Sequence, residues 1–187
     1  MSRIDSVLVL PPKNRYIKNM KHFIIIDMQN DFTTGALANK DAVDIIPKIK
    51  ERLNKARLDK ARVIYTRDTH SEENYMASGE GKYLPVPHCI KGTDGWQIVN
   101  ELCPDQSDLV IDKLHFGYDG WKDFIKPGDE VTMVGTCTDI CVVSNALAIK
   151  MIENVDVTVL SDCCAGLTKE KHQAALEVMR SCQCKVI

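Results

Sequence analysis

The feature that most restricts how this chain can fold is a rhythm. Short, unbroken apolar runs rich in β-branched residues recur along it, separated by stretches of helical periodicity. The runs lie at Phe23–Met28, Arg62–Thr66, Asp108–Asp112, Glu130–Val134 and Val155–Leu160, with a terminal candidate at Lys185–Ile187. FIII at 23–26 and VTVL at 157–160 lack polar alternation, the pattern of strands covered on both faces. Between them, Pro47 can open a helix whose Ile49, Leu53 and Ala56 share a face. A second helical pattern covers about 138–153, through Ile140, Val143, Ala146, Leu147 and Met151, with Thr138 or Asp139 as its cap. A third covers about 168–181, capped by Thr168, with Ala174, Ala175, Val178 and Met179 apolar. Strand–helix repetition predicts a three-layer α/β/α fold, Rossmann-like, around a central, mostly parallel sheet of about six strands.

Residues 20–187 read as one domain, and residues 1–19, which carry Pro11-Pro12 and no periodicity, read as a mobile tail. The net charge is −2 with the basic residues dispersed, so nothing marks a nucleic-acid or membrane-surface partner. No run reaches the roughly 18 apolar residues a membrane helix needs. Eight cysteines follow no secretory signal, so reduced thiols in a cytoplasm are expected rather than a disulfide framework.

In parallel α/β sheets, ligands bind beyond the carboxyl ends of the strands. Asp27 stands at the end of the first run, Asp68 and His70 follow the second, Lys113 the third, and Gly135–Cys141 the fourth, so the reactive side chains gather at one end. Cys141 falls in the first turn of a helix, where free N–H groups and the helix dipole favour a thiolate and can hold an oxyanion. Asp27 is a lone carboxylate after four apolar residues and can take a thiol proton. Lys113 can pair with Asp27 and position the thiol. Each has a plainer reading alone: a buried structural cysteine, an aspartate capping a turn, a surface lysine.

The long segment 68–107 has few regular signals and carries Asp68, His70, Glu80 and His88. Two imidazoles with two carboxylates suit Zn²⁺, with Mn²⁺ or Fe²⁺ as alternatives. Dispersed polar loop residues are the plainer alternative. His22, His115 and His172 lack such company and read as structural.

Three motifs now stand in order: IIIDMQNDF at 24–32, Lys113 with downstream Phe116-Gly117, and GTCTDICV at 135–142. With these, the chain resembles the isochorismatase-like cysteine hydrolase superfamily and, within it, the nicotinamidases, over about residues 21–187. The resemblance implies Asp27 as base, Lys113 as its partner and Cys141 as nucleophile. It also implies oxyanion donors at the backbone N–H of Cys137 and Cys141, and a cis peptide before Cys137. It reads Asp68, His70 and His88, with Glu80 as the acidic fourth, as the metal ligands. Nicotinamidases place an aromatic residue just before the Pro-rich step into the last metal histidine. In Tyr83-Leu84-Pro85-Val86-Pro87-His88, Leu84 stands near that position and Tyr83 one step away. Phe32 is a further candidate to stack on a substrate ring. The implied activity is hydrolysis of nicotinamide or a related small aromatic carboxamide through a cysteine thioester, by a homo-oligomer acting on a small molecule. The alternatives are a superfamily hydrolase of another amide, a carbamoyl compound or an enol ether, and a non-catalytic binding protein.

Overall fold

A computed structural model of the chain describes residues 19–187. Apart from Asn19, the tail 1–19 lies outside the described residues. Six strands form one sheet: β1 (Lys21–Ile26), β2 (Arg62–Asp68), β3 (Leu109–Lys113), β4 (Glu130–Thr136), β5 (Asp156–Ala165) and β6 (Lys185–Val186). Their order is β3-β2-β1-β4-β5-β6, and every neighbouring pair is parallel. The sheet is thus wholly parallel, with the strand order 3-2-1-4-5-6 of doubly wound folds.

Side chains alternate across β1 and so define two cores. Phe23 and Ile25 face a layer built on α3 (Ile46–Leu58), packing with Ile49 and Leu53. Ile24 and Ile26 face the opposite layer, built from α5 (Trp121–Phe124), α6 (Val143–Lys150) and α7 (Lys169–Ser181), through Trp121, Ile149, Leu176 and Met179. The chain is therefore three layers, α/β/α. Pro47 sits in the first turn of α3, and the Thr168 side chain accepts from Lys171 N–H, as the sequence predicts.

Several local expectations need correction. The short helices α1 (Asn30–Thr33), α2 (Lys40–Asp44) and α4 (Gly79–Tyr83) have no counterpart in the sequence reading. They are one turn or little more, too short to show periodicity. Neither Thr138 nor Asp139 caps the helix before α6. Thr138 Oγ1 is instead 2.9 Å from His172 Nδ1, and Asp139 accepts from Leu167 N–H. That helix opens as a π-turn over Thr138–Val142. The strand order reverses between β1 and β4, and the residues just past those two strands meet across the crevice. Gly135 (φ 125°) makes their approach possible, since a Cβ there would lie 2.1 Å from the Ile26 carbonyl oxygen.

Candidate active site

Asp27, Lys113 and Cys141 come together at that crevice. Asp27 leaves β1 at φ 49° and is fully buried. Its Oδ1 accepts from Thr66 Oγ1 at 2.6 Å, and Lys113 Nζ is 2.7 Å from its Oδ2. Burial pushes the Asp27 carboxyl above its usual range, against the opposing pull of Lys113. Lys113 ends β3 with its ammonium out of solvent. Nζ also lies 3.1 Å from the His115 carbonyl oxygen, 3.4 Å from Asp68 Oδ1 and 3.7 Å from Cys141 Sγ. Burial disfavours that cation, but the carboxylates of Asp27 and Asp68 outweigh it and keep the lysine protonated.

Cys141 sits in the π-turn and is 4% exposed. Burial, reinforced by the Asp27 charge, raises its thiol well above the ordinary value despite Lys113. Burial thus favours the neutral thiol, against the thiolate expected from the helix terminus. Desolvation outweighs the dipole here. The peptide bond Thr136–Cys137 is cis, and the chain enters the π-turn from it.

The second constellation also converges. The ligand atoms of Asp68, His70, Glu80 and His88 all lie within 4.8 Å of one another. His70 Nε2 is 3.1 Å from Asp68 Oδ2 and 3.7 Å from Glu80 Oε2. His88 Nε2 is 3.6 Å from Asp68 Oδ2 and 3.4 Å from Glu80 Oε1. Ligands about 2 Å from a tetrahedral zinc sit a little over 3 Å apart, so the spacing fits. His88 Nδ1 lies 2.9 Å from the Val86 carbonyl oxygen, which accepts its proton and leaves Nε2 to face the cluster. Burial lowers the His88 pKa, but its bonds to Asp68 and Glu80 prevail and hold it at about 10. The same imidazoles and Lys113 overcome burial at Asp68 and keep that carboxyl well below its usual range. The four side chains together could hold a metal ion.

The three candidate substrate contacts are placed differently. Phe32 is buried with its ring edge-on to His88, centroids 5.7 Å apart. Tyr83 is 93% exposed at the rim of a cavity of about 930 Å³. Leu84 is half-buried, and its carbonyl accepts from Tyr75 Oη at 2.8 Å. His70, Glu80, Phe116, Ile140 and Val178 of α7 are among the residues that line the cavity. Cys141 is not part of that lining, although Ile140 beside it is. Of the other histidines, His22 pairs with Asp129 at 3.0 Å beside the amino ends of the strands, while His115 lines the cavity.

Sequence reasoning missed the supports behind these groups. Gln29 is fully buried and brackets the Asp68 peptide: Oε1 accepts from Asp68 N–H at 2.7 Å and Nε2 donates to its carbonyl at 3.0 Å. Asp31 accepts from Cys89 N–H at 2.7 Å, which fixes the residue after His88 in its left-handed conformation (φ 48°). Gly95 leaves room for it, since a Cβ there would stand 2.2 Å from Asp31 Oδ2. Tyr75 Oη lies 3.2 Å from His88 Nδ1. Polar residues at alternate positions after Asp27 are the signal that could have found the first two.

A model of the isochorismatase domain matches residues 21–187. The chain is similar to the nicotinamidase/pyrazinamidase of Mycobacterium tuberculosis, at 30% identity over 90% of this chain and 98% of that one. Among solved structures, it resembles the pyrazinamidase of Pyrococcus horikoshii in complex with zinc (29% identity, TM-score 0.76, 89% and 98% of the two chains). It likewise resembles the pyrazinamidase/nicotinamidase of Streptococcus mutans (27% identity, TM-score 0.77, 89% and 99%). Among the described residues, no helix is long and apolar enough to cross a membrane.

Proposed function

The chain belongs to the isochorismatase domain family, and from that premise we propose that it is a nicotinamidase-like amidohydrolase, converting nicotinamide or a related small aromatic carboxamide to the acid and ammonia. The observation that carries this reading is the position of Lys113 Nζ, within 3.7 Å of Asp27, Cys141 and Asp68 together. One cation thereby joins a nucleophile–base pair to a four-residue metal cluster.

Asp27 takes the Cys141 proton, and its raised affinity for protons suits it to the task. Lys113 holds both groups and offsets the charge that passes between them. The thiolate attacks the carboxamide carbon, and the backbone N–H groups of Cys137 and Cys141 receive the oxyanion, each worth about 3 kcal/mol in comparable sites. The tetrahedral adduct collapses, the C–N bond breaks, and Asp27 returns its proton to the departing ammonia. Water then adds to the thioester, Asp27 accepts one of its protons, and the acid leaves as Cys141 regains its hydrogen. Asp68, His70, Glu80 and His88 would hold a divalent cation, Zn²⁺ first by ligand type and Mn²⁺ or Fe²⁺ next, which supplies a Lewis-acid point for a ring nitrogen. Gln29 and Asp31 keep that ligand set in place through the main chain.

A second substrate reading, an amide larger than nicotinamide, is favoured by the size of the adjoining cavity. Ammonia release from nicotinamide against a panel of bulkier and aliphatic amides separates the two. Selective turnover of nicotinamide supports the first reading, and turnover of only larger amides supports the second. Release from none contradicts both.

A further inference from the structure

Asn145 lies one helical turn beyond Cys141 and is fully buried. Its Nδ2 donates to the Cys141 carbonyl at 2.8 Å and to the Phe116 carbonyl at 2.9 Å. Its Oδ1 accepts from Tyr118 N–H and from Trp121 Nε1, both at 2.9 Å. Two acceptors on one side and two donors on the other leave the amide one orientation, and every hydrogen-bonding position of the side chain is used. Among the described residues, no other side chain ties the nucleophile's own main chain to another segment.

The segment it holds is a wall of the cavity. Trp121 anchors it in the core, 1% exposed, and Tyr118 packs edge-on against that ring at 5.4 Å. Gly117 runs close over the first turn of α6, where a Cβ would be 3.5 Å from Ser144 Cβ. Phe116 and Leu114, by contrast, stay exposed and line the cavity together with the metal-ligand side chains His70 and Glu80. The same segment begins at Lys113, and the His115 carbonyl accepts from its Nζ.

We propose that Asn145 is a positioning residue that fixes the Phe116 wall of the substrate cavity relative to the Cys141 nucleophile, so that it governs binding of the aromatic amide and access to the thiol more than the chemical step. The proposal rests on reading Cys141 as the nucleophile.

Two substitutions separate its ties. Asn145→Thr retains a hydroxyl that can donate back to the Cys141 carbonyl but gives up the 116–121 segment. Asn145→Asp keeps the acceptor for Tyr118 and Trp121 but sets its second oxygen, in place of Nδ2, against the Cys141 and Phe116 carbonyls. Asn145→Thr gives up the three bonds to Phe116, Tyr118 and Trp121, and KM for nicotinamide should rise about tenfold with kcat within about twofold. For Asn145→Asp, both constants should worsen. In both variants, iodoacetamide labelling of Cys141, read by peptide mapping, should be faster, because loosening the 116–121 segment opens the surroundings of a thiol that is now only 4% exposed. Unchanged KM and labelling in a folded Asn145→Thr protein would overturn the proposal. So would a fall in rate that merely tracks the folded fraction, or a threonine variant that cannot fold, since Asn145 would then be a fold determinant alone. If the parent protein releases no ammonia from nicotinamide, the proposed function fails, while the labelling rates still decide this inference.

Discussion

Asp68 Oδ1 stands 3.4 Å from Lys113 Nζ while its Oδ2 stands 3.1 Å from His70 Nε2. The carboxylate therefore belongs to both constellations, with one oxygen turned to the lysine beside the thiol and the other to the imidazoles. Occupancy of the cluster and the charge balance around Cys141 are coupled through this one group.

Removing the base should separate chemistry from folding. Asp27→Asn keeps the size of the side chain and its bond to Thr66 but removes the proton acceptor. Lys113 retains Asp68 as a partner. The account predicts a loss of about 10²- to 10⁴-fold in kcat with a preserved cooperative melt. Steady-state kinetics beside thermal denaturation checks it, and full activity would exclude Asp27 as the base.

Lys113 is a buried cation with two carboxylate neighbours, so truncation should cost stability as well as rate. Lys113→Ala leaves the buried Asp27 carboxylate without its counter-charge, a change that typically costs about 3–5 kcal/mol. In a chain of this size that lowers Tm by roughly 10 °C. Differential scanning calorimetry reads the shift.

The cluster should bind a divalent cation, with folding and binding linked. Zinc added to chelator-treated protein should raise Tm, by about 3 kcal/mol of stabilisation at a hundredfold excess over Kd. His88→Ala should abolish that rise and the stoichiometric metal seen by elemental analysis. A parent protein that melts identically with and without zinc would refute the assignment.

Far from the site, Asp129 should make stability fall in acid. Burial works against its charge, but the N–H groups of Lys126 and Met20, with His22, prevail and depress its pKa. The folded value lies below the unfolded one. The stabilisation is thus complete above the unfolded pKa, about 3.9, and fades as pH drops through the lower folded value. Asp129→Ala should lose about 2 kcal/mol at neutral pH, and the gap from the parent should shrink below about pH 4. Urea denaturation across pH measures it.

Much of this was legible in the residues. FIII and VTVL announce buried parallel strands, and the strand-end rule then places Asp27, Lys113 and Cys141 on one crevice before any contact is known. The loop residues Asp68, His70, Glu80 and His88 were readable as a set because their chemistry is specific. What stayed hidden depends on tertiary partners. Thr138 and Asp139 carry ordinary capping signals, yet His172 and Leu167 claim them. Asn145 looks like a weak helix residue until its four partners, drawn from two segments, are seen. The bias of Cys141 toward the neutral thiol follows from burial, and residue order does not report how deep a side chain lies.

The central claim is that Cys141 carries the acyl group. Rapid acid quench of the protein turning over nicotinamide, followed by peptide mass spectrometry, tests it directly. The account predicts a nicotinoyl adduct on the peptide bearing Cys141, absent with Cys141→Ala, which should be folded and inactive. Turnover by that variant, or an acyl group captured on any other residue, would contradict it.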